Sequence, residues 1–205
     1  MSGLAATAQL LAALTGQDTR FTRHRGDGWQ ILIARPELYL RATTLILARL
    51  KADADTLPTR IGIGIGRIDS QGTADLRDAG GPAFEYSGRA LDGLTRDRTL
   101  TVLQGPQDPL ANLGRGAADP ASADAPGWSG AAILALLGCI TDGWTAPQAE
   151  AVGLALQHDG ETQGTIAAHL GITRQALNLR LTGAGYGPIL SAIRLTETYF
   201  DTKNL

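Results

Sequence analysis

The chain has 205 residues, 43% of them hydrophobic and 19% charged, the make-up of an ordinary globular protein with apolar material for one good core or two small ones. Its 18 basic and 20 acidic side chains leave a formal charge of −2. That excludes nucleic-acid affinity by bulk charge and would require a local basic patch, a dimer or a switched state. The longest uncharged runs, Met1 to Gln17 and Ala125 to Thr141, carry Gly, Ser, Thr or Trp and fall a little short of a spanning helix. The first run has no positive lead and the single Cys139 cannot form an internal disulfide, so the expected address is the cytoplasm, with no membrane partner.

In chain order, Leu4, Leu11 and Leu14 with alanines between them predict an amphipathic helix ended by Gly16. Asp27-Gly28 between two extended runs predicts a tight hairpin within Thr19 to Ala34. Pro36 opens a helix to about Lys51, with Leu38, Ala42 and Leu45 on one face. In RIGIGIGR, Ile61, Ile63 and Ile65 alternate with glycines, so the strand has one apolar face and one face of bare backbone. A ligand and a closely packed neighbouring element are equally good reasons for that bare face. After a Gly- and Asp-rich loop from Ser70 to Gly81, the residues Ser87, Ala90, Leu91 and Leu94 mark a helix, and Thr99 to Leu103 a further strand. The order of elements fits an α+β sandwich with helices on one face of a mainly antiparallel sheet. Residues 1–112 thus form the expected N-terminal domain. The stretch 113–127 is rich in small residues and proline and reads as a linker, and 128–205 reads as an all-helical domain with helices near 128–140, 146–158 and 186–200.

Within that last domain, ETQGTIAAHLGITRQALNLRL from Glu161 to Leu181 has the pattern of a helix-turn-helix. Thr162 caps a helix whose Ile166 and Leu170 share a face, Ala167 permits a close crossing, Gly171 ends the helix and Thr173 caps the next one. Leu177 and Leu181 point the second helix inward. Thr173, Arg174, Gln175, Asn178 and Arg180 are then the DNA-binding candidates, with side chains suited to reading bases or contacting phosphates. From residue 113 onward there are five basic and eight acidic residues, net −3, so specific binding would need a symmetric dimer presenting two such helices. A trihelical packing unit that docks on protein and never touches DNA is the alternative from the same pattern.

Three blocks in order, RHRGDGWQ, RIGIGIG and DAGGPAFEYSGRAL, resemble the motif blocks of a class III nucleotide cyclase domain. With the linker and WTAPQAEA leading into the helix-turn-helix, nearly the whole chain resembles the bacterial SatD-like proteins, and the C-terminal unit is similar to the DNA-binding region of sigma factors. The resemblance implies a ferredoxin-like α+β cyclase fold, a purine nucleotide with magnesium as ligands, and a homodimer. It places Asp27, after Gly26, where cyclases hold a divalent metal, and Arg23 and Asp78 where they read the base. Arg89 falls on the arginine that stabilises the transferred phosphoryl group.

Two departures argue against catalysis. Glu85 stands where cyclases carry a ribose-orienting asparagine, and a carboxylate one turn from Arg89 repels phosphate. The chain also begins at the helix following the strand that bears the second metal aspartate, and one such carboxylate does not complete a two-metal site. The expectation is therefore a cytoplasmic, dimeric, DNA-binding regulator with a catalytically degenerate cyclase-like domain; an active cyclase-type enzyme and a protein-binding adaptor are the alternatives. Other residues have plainer readings. Asp27 is the residue a hairpin turn asks for, Glu85 and Arg89 suit a surface ion pair, and Cys139 reads as a small buried hydrophobe. Trp128 and Trp144 read as core anchors, and His169 as a structural histidine without a second His or Cys to join it.

Overall fold

Proline at 36 cannot donate a backbone hydrogen bond and so suits the start of a helix; in the computed structural model it opens a 3-10 turn, Pro36–Leu38, that runs straight into helix α2. The structure describes residues 2–16, 19–23, 28–53, 59–73, 75–95, 99–104 and 128–203. In order, these form α1 (Ser2–Thr15), β1 (Arg20–Arg23), β2 (Trp29–Leu32), α2 (Tyr39–Ala52), β3 (Ile61–Ile65), α3 (Pro82–Asp92), β4 (Leu100–Gln104), α4 (Trp128–Asp142), α5 (Ala146–Gln157), α6 (Gln163–His169), α7 (Arg174–Gly183) and α8 (Tyr186–Lys203). The fold is mixed α+β, mainly helical, with small sheets. Among the described residues, no helix is long and apolar enough to cross a membrane.

The chain divides into two compact units. One collects Met1–Thr19, Ile31–Leu57 and Cys139–Leu205, the other Arg20–Gln30 and Pro58–Gly138. Neither unit is one continuous stretch of chain, and the span 113–127, expected as a linker, lies outside the described residues.

In the helical unit, α2 packs on α1 and α5, and α5 on α7. Close approach follows from small residues: Ala149, Ala151 and Ala155 are buried on α5, and a Cβ added at Gly153 would stand 3.4 Å from the Ala48 Cβ on α2. Leu40, Leu45, Leu156, Leu177 and Ile193 complete an apolar interior from which water is removed. Thr43 and Thr44, also buried, donate to the carbonyls of Tyr39 and Leu40 one turn back, so burial leaves neither hydroxyl unmade. Trp144 is buried, as expected, and its indole N–H donates to the Ala184 carbonyl at 2.8 Å. On α8, Ile189 and Ile193 face the core, whereas Leu195 is 72% exposed.

One two-stranded sheet pairs β1 with β2; in the other unit, β3 pairs with β4 in parallel, with Ile61 opposite Leu100 and Ile65 opposite Gln104. This corrects the expectation of a mainly antiparallel sheet. The chain between β3 and β4 includes α3, and a helical crossover returns the second strand in the direction of the first. The bare face of β3 is filled by α3 itself: a Cβ at Gly62 would fall 2.5 Å from the Leu91 backbone nitrogen, and one at Gly64 2.0 Å from the Ala83 carbonyl oxygen. Of the two reasons for the bare face, close packing accounts for Gly62 and Gly64. Pro82 stands at the start of α3 behind Gly81, whose φ of 130° only glycine adopts without strain.

Candidate functional site

The expected reading pair is built by local chemistry. The Thr162 hydroxyl accepts from the Thr165 N–H and the Thr173 hydroxyl from the Ala176 N–H, so α6 and α7 each begin on a side-chain cap. Gly171, at φ 63°, turns the chain between them. Ile166, Ala167, Leu177 and Leu181 are buried, and the two helices pack against each other.

This geometry leaves Thr173, Arg174, Gln175 and Asn178 exposed around the first turns of α7. Among the described residues, Arg174 has no side-chain partner. Arg180 differs from its expected outward role: it is half-buried and its guanidinium lies 3.3 Å from the Glu150 carboxylate on α5. Leu179, 72% exposed, adds an apolar side chain to a helix surface expected to be polar.

The residues drawn from the cyclase resemblance meet less completely. Gly26 and Asp27 lie outside the described residues. Arg23 is exposed on β1, and that strand packs against a 3-10 turn, Leu76–Asp78, through a 2.8 Å hydrogen bond from the Leu76 N–H to the buried Thr22 hydroxyl. Asp78 ends that turn, exposed, and one of its carboxylate oxygens accepts from the Thr73 hydroxyl at 3.0 Å. The loop before it is held by Arg20, whose terminal nitrogen donates to the carbonyls of Gln71, Gly72 and Thr73 at 2.9, 3.1 and 2.8 Å. Nothing in the sequence around Arg20 signals this role, because its acceptors are backbone atoms far along the chain. Arg89 and Glu85 are both exposed on α3.

Three side chains absent from the expected site come together beside α6. His158 caps the end of α5, Glu161 follows in the connection, and His169 closes α6. The Glu161 carboxylate is 2.8 Å from His158 Nδ1 and 3.7 Å from His169 Nε2, and the two imidazoles stack at 4.4 Å between centroids with planes 23° apart. The hydrogen bond with His158 holds the Glu161 carboxyl below the usual carboxylate range. The expectation that His169 has no second histidine near it is therefore corrected. His158 is eleven residues earlier, a separation set by the turn between the helices and by no motif spacing.

Next to His158, Asp159 anchors the same connection. Its carboxylate oxygens lie 3.0 Å from Arg41 of α2 and 3.0 Å from Arg194 of α8. Arg41 also donates to Glu197 at 2.6 and 3.1 Å. Burial disfavours the Arg41 charge, but the two carboxylates outweigh it and raise the guanidinium pKa. A cavity of about 250 Å³ in this unit is lined by Leu11, Glu37, Arg41, Leu156 and Glu197, among others. Its charged walls are already committed to one another, as Arg35 to Glu37 at 2.5 Å and Arg41 to Glu197, and none of the expected site residues reaches it. Cys139, expected to be buried, is exposed.

No protein-family model matches the chain, and searches of curated proteins and of solved structures find no match either.

Proposed function

We propose that this protein is a DNA-binding transcriptional regulator of the SatD-like kind, acting as a homodimer, in which α6 and α7 form a sigma-factor-like helix-turn-helix and a catalytically degenerate cyclase-like region serves dimerisation. One observation carries the reading: Arg174, Gln175 and Asn178 stand exposed at the leading end of a capped helix whose opposite side is buried. That is the end of a recognition helix that meets base edges, and those are side chains that pair with guanine and adenine. A purine nucleotide with magnesium fits the remaining residues incompletely, since Asp78 already holds Thr73 and Glu85 sets a carboxylate one turn from Arg89. The regulator reading does not depend on that ligand.

Selection and sequencing of genomic fragments bound by the purified protein, at two salt concentrations, tests the reading, and a palindromic site is the expected product. On that site Arg174→Ala should cost about 1 to 3 kcal/mol and relax preference at one position. Glu150→Ala should release Arg180 and strengthen binding at low salt, because a freed guanidinium adds a phosphate contact. No enriched sequence in any condition would end the proposal.

The exposed Leu179 favours a second reading, in which the same helix docks on a protein partner. Leu179→Ser would then abolish the protein interaction, whereas in the regulator it leaves operator selection intact.

A further inference from the structure

We propose that His158, Glu161 and His169 form a binding site for a divalent first-row transition ion, zinc(II) in the first instance, that ties the end of α5 to the end of α6. The ligand atoms of these three side chains all lie within 4.8 Å of one another, the one such grouping of three among the described residues.

The donor set argues for the class of ion. Two imidazole nitrogens and one carboxylate suit zinc, copper(II) or nickel(II), whereas calcium and magnesium take oxygen ligands. Ligands of a tetrahedral zinc ion stand about 3.3 Å apart, given metal–ligand distances near 2.0 Å. The Glu161 carboxylate already lies 2.8 and 3.7 Å from the two ring nitrogens, on either side of that value. Small side-chain rotations, unstacking the two rings, would bring both nitrogens and one carboxylate oxygen around a common centre. Three protein ligands leave a fourth position for water, and the side chains are 28, 41 and 47% exposed, so an ion has a path in.

The scaffold supports the arrangement. His158 is fixed at the C-terminal cap of α5, and its carbonyl accepts from the Glu161 N–H at 3.0 Å. Asp159, next to His158 in the chain, is taken up by Arg41 and Arg194 and anchors the turn. His169 rides on α6, whose start is held by the Thr162 cap. A bound ion would therefore cross-link two helix ends whose connection contains Gly160 at φ 105°. Because α7 packs on α6, the ion would stiffen the support of α7. This inference stands on the cluster alone and does not require that α7 meet DNA.

The test uses the full chain stripped with a chelator and titrated with zinc(II) against a chromophoric competitor, with cobalt(II) absorption as a second readout. One equivalent should bind, with the ligand-field bands of a nitrogen- and oxygen-ligated cobalt site, and zinc should raise the melting temperature. His169→Gln and Glu161→Gln, both at exposed positions, should each weaken the site by at least about 100-fold, the upper range for mere outer-shell changes. They should also remove the zinc-dependent rise in melting temperature while leaving the metal-free melt in place. His24→Ala and Cys139→Ser should change nothing, since they remove the chain's third histidine and its single thiol. Zinc binding that survives His169→Gln, or that is lost on Cys139→Ser, would overturn the proposal, as would the absence of binding. In those cases the cluster is only a hydrogen-bonded helix cap.

Discussion

Arg174 and Arg180 lie on the same helix yet are held differently, because Arg180 points toward α5 and meets Glu150 while Arg174 meets solvent. Contact chemistry at this scale is set by what the neighbouring element presents. Tyr186, the first residue of α8, is another such case: burial, reinforced by Asp159 and opposed by Arg41 and Arg194, pushes its phenol up to about 12. The folded value exceeds the unfolded value of about 10. Its contribution to stability is therefore complete below pH 10 or so and disappears as the pH rises through 12. Tyrosinate absorbance in an alkaline titration should show one component near 12 that is missing from Tyr186→Phe. A component at the ordinary phenol value in its place would contradict the burial argument.

At the scale of elements, the unit β3-α3-β4 depends on helix and strand backbones touching where glycine supplies no side chain. Gly64→Ala would drive a methyl into the Ala83 carbonyl and the Ser87 backbone nitrogen, 2.0 and 2.5 Å away. Neither backbone atom can swing aside. The expected loss is about 1 to 3 kcal/mol, read as a lower urea midpoint at unchanged slope. Gly88→Ala is the internal contrast, since a Cβ there meets nothing within 4 Å on the exposed side of α3. It should gain about 1 kcal/mol from helix propensity. Equal effects of the two substitutions would mean that α3 does not lie against the glycine face of β3.

At the scale of the whole molecule, the helical unit gathers segments from both ends of the chain, and Arg41 is its main polar tie. From α2 it reaches Asp159, in the connection after α5, and Glu197 on α8. All three side chains are at most about a quarter exposed, so their pairing is shielded from salt more than a surface ion pair is. Arg41→Ala leaves two partly buried carboxylates near each other, and the expected cost is about 2 kcal/mol. Chemical denaturation at low and high ionic strength should show that loss nearly unchanged by salt. A loss that vanishes in salt would reduce the cluster to an ordinary surface pair.

Local signals in the sequence determined much of this protein. Threonines at 162 and 173 announced two helix starts, Gly171 the turn between them, Pro36 another start, and the leucines at 177 and 181 the inward side of α7. These features depend on interactions within about one helical turn, which periodicity and capping chemistry reveal. The strand carrying Ile61, Ile63 and Ile65 was legible for the same reason. The tertiary structure decided what lies far apart in sequence. It chose parallel pairing for β3 and β4, placed α3 on the bare face, brought α2 against α5, turned Arg180 to Glu150 and stacked His158 on His169. None of these leaves a periodic trace in a single chain, because each is selected by which surfaces exclude water together and which charges then lie within reach of one another.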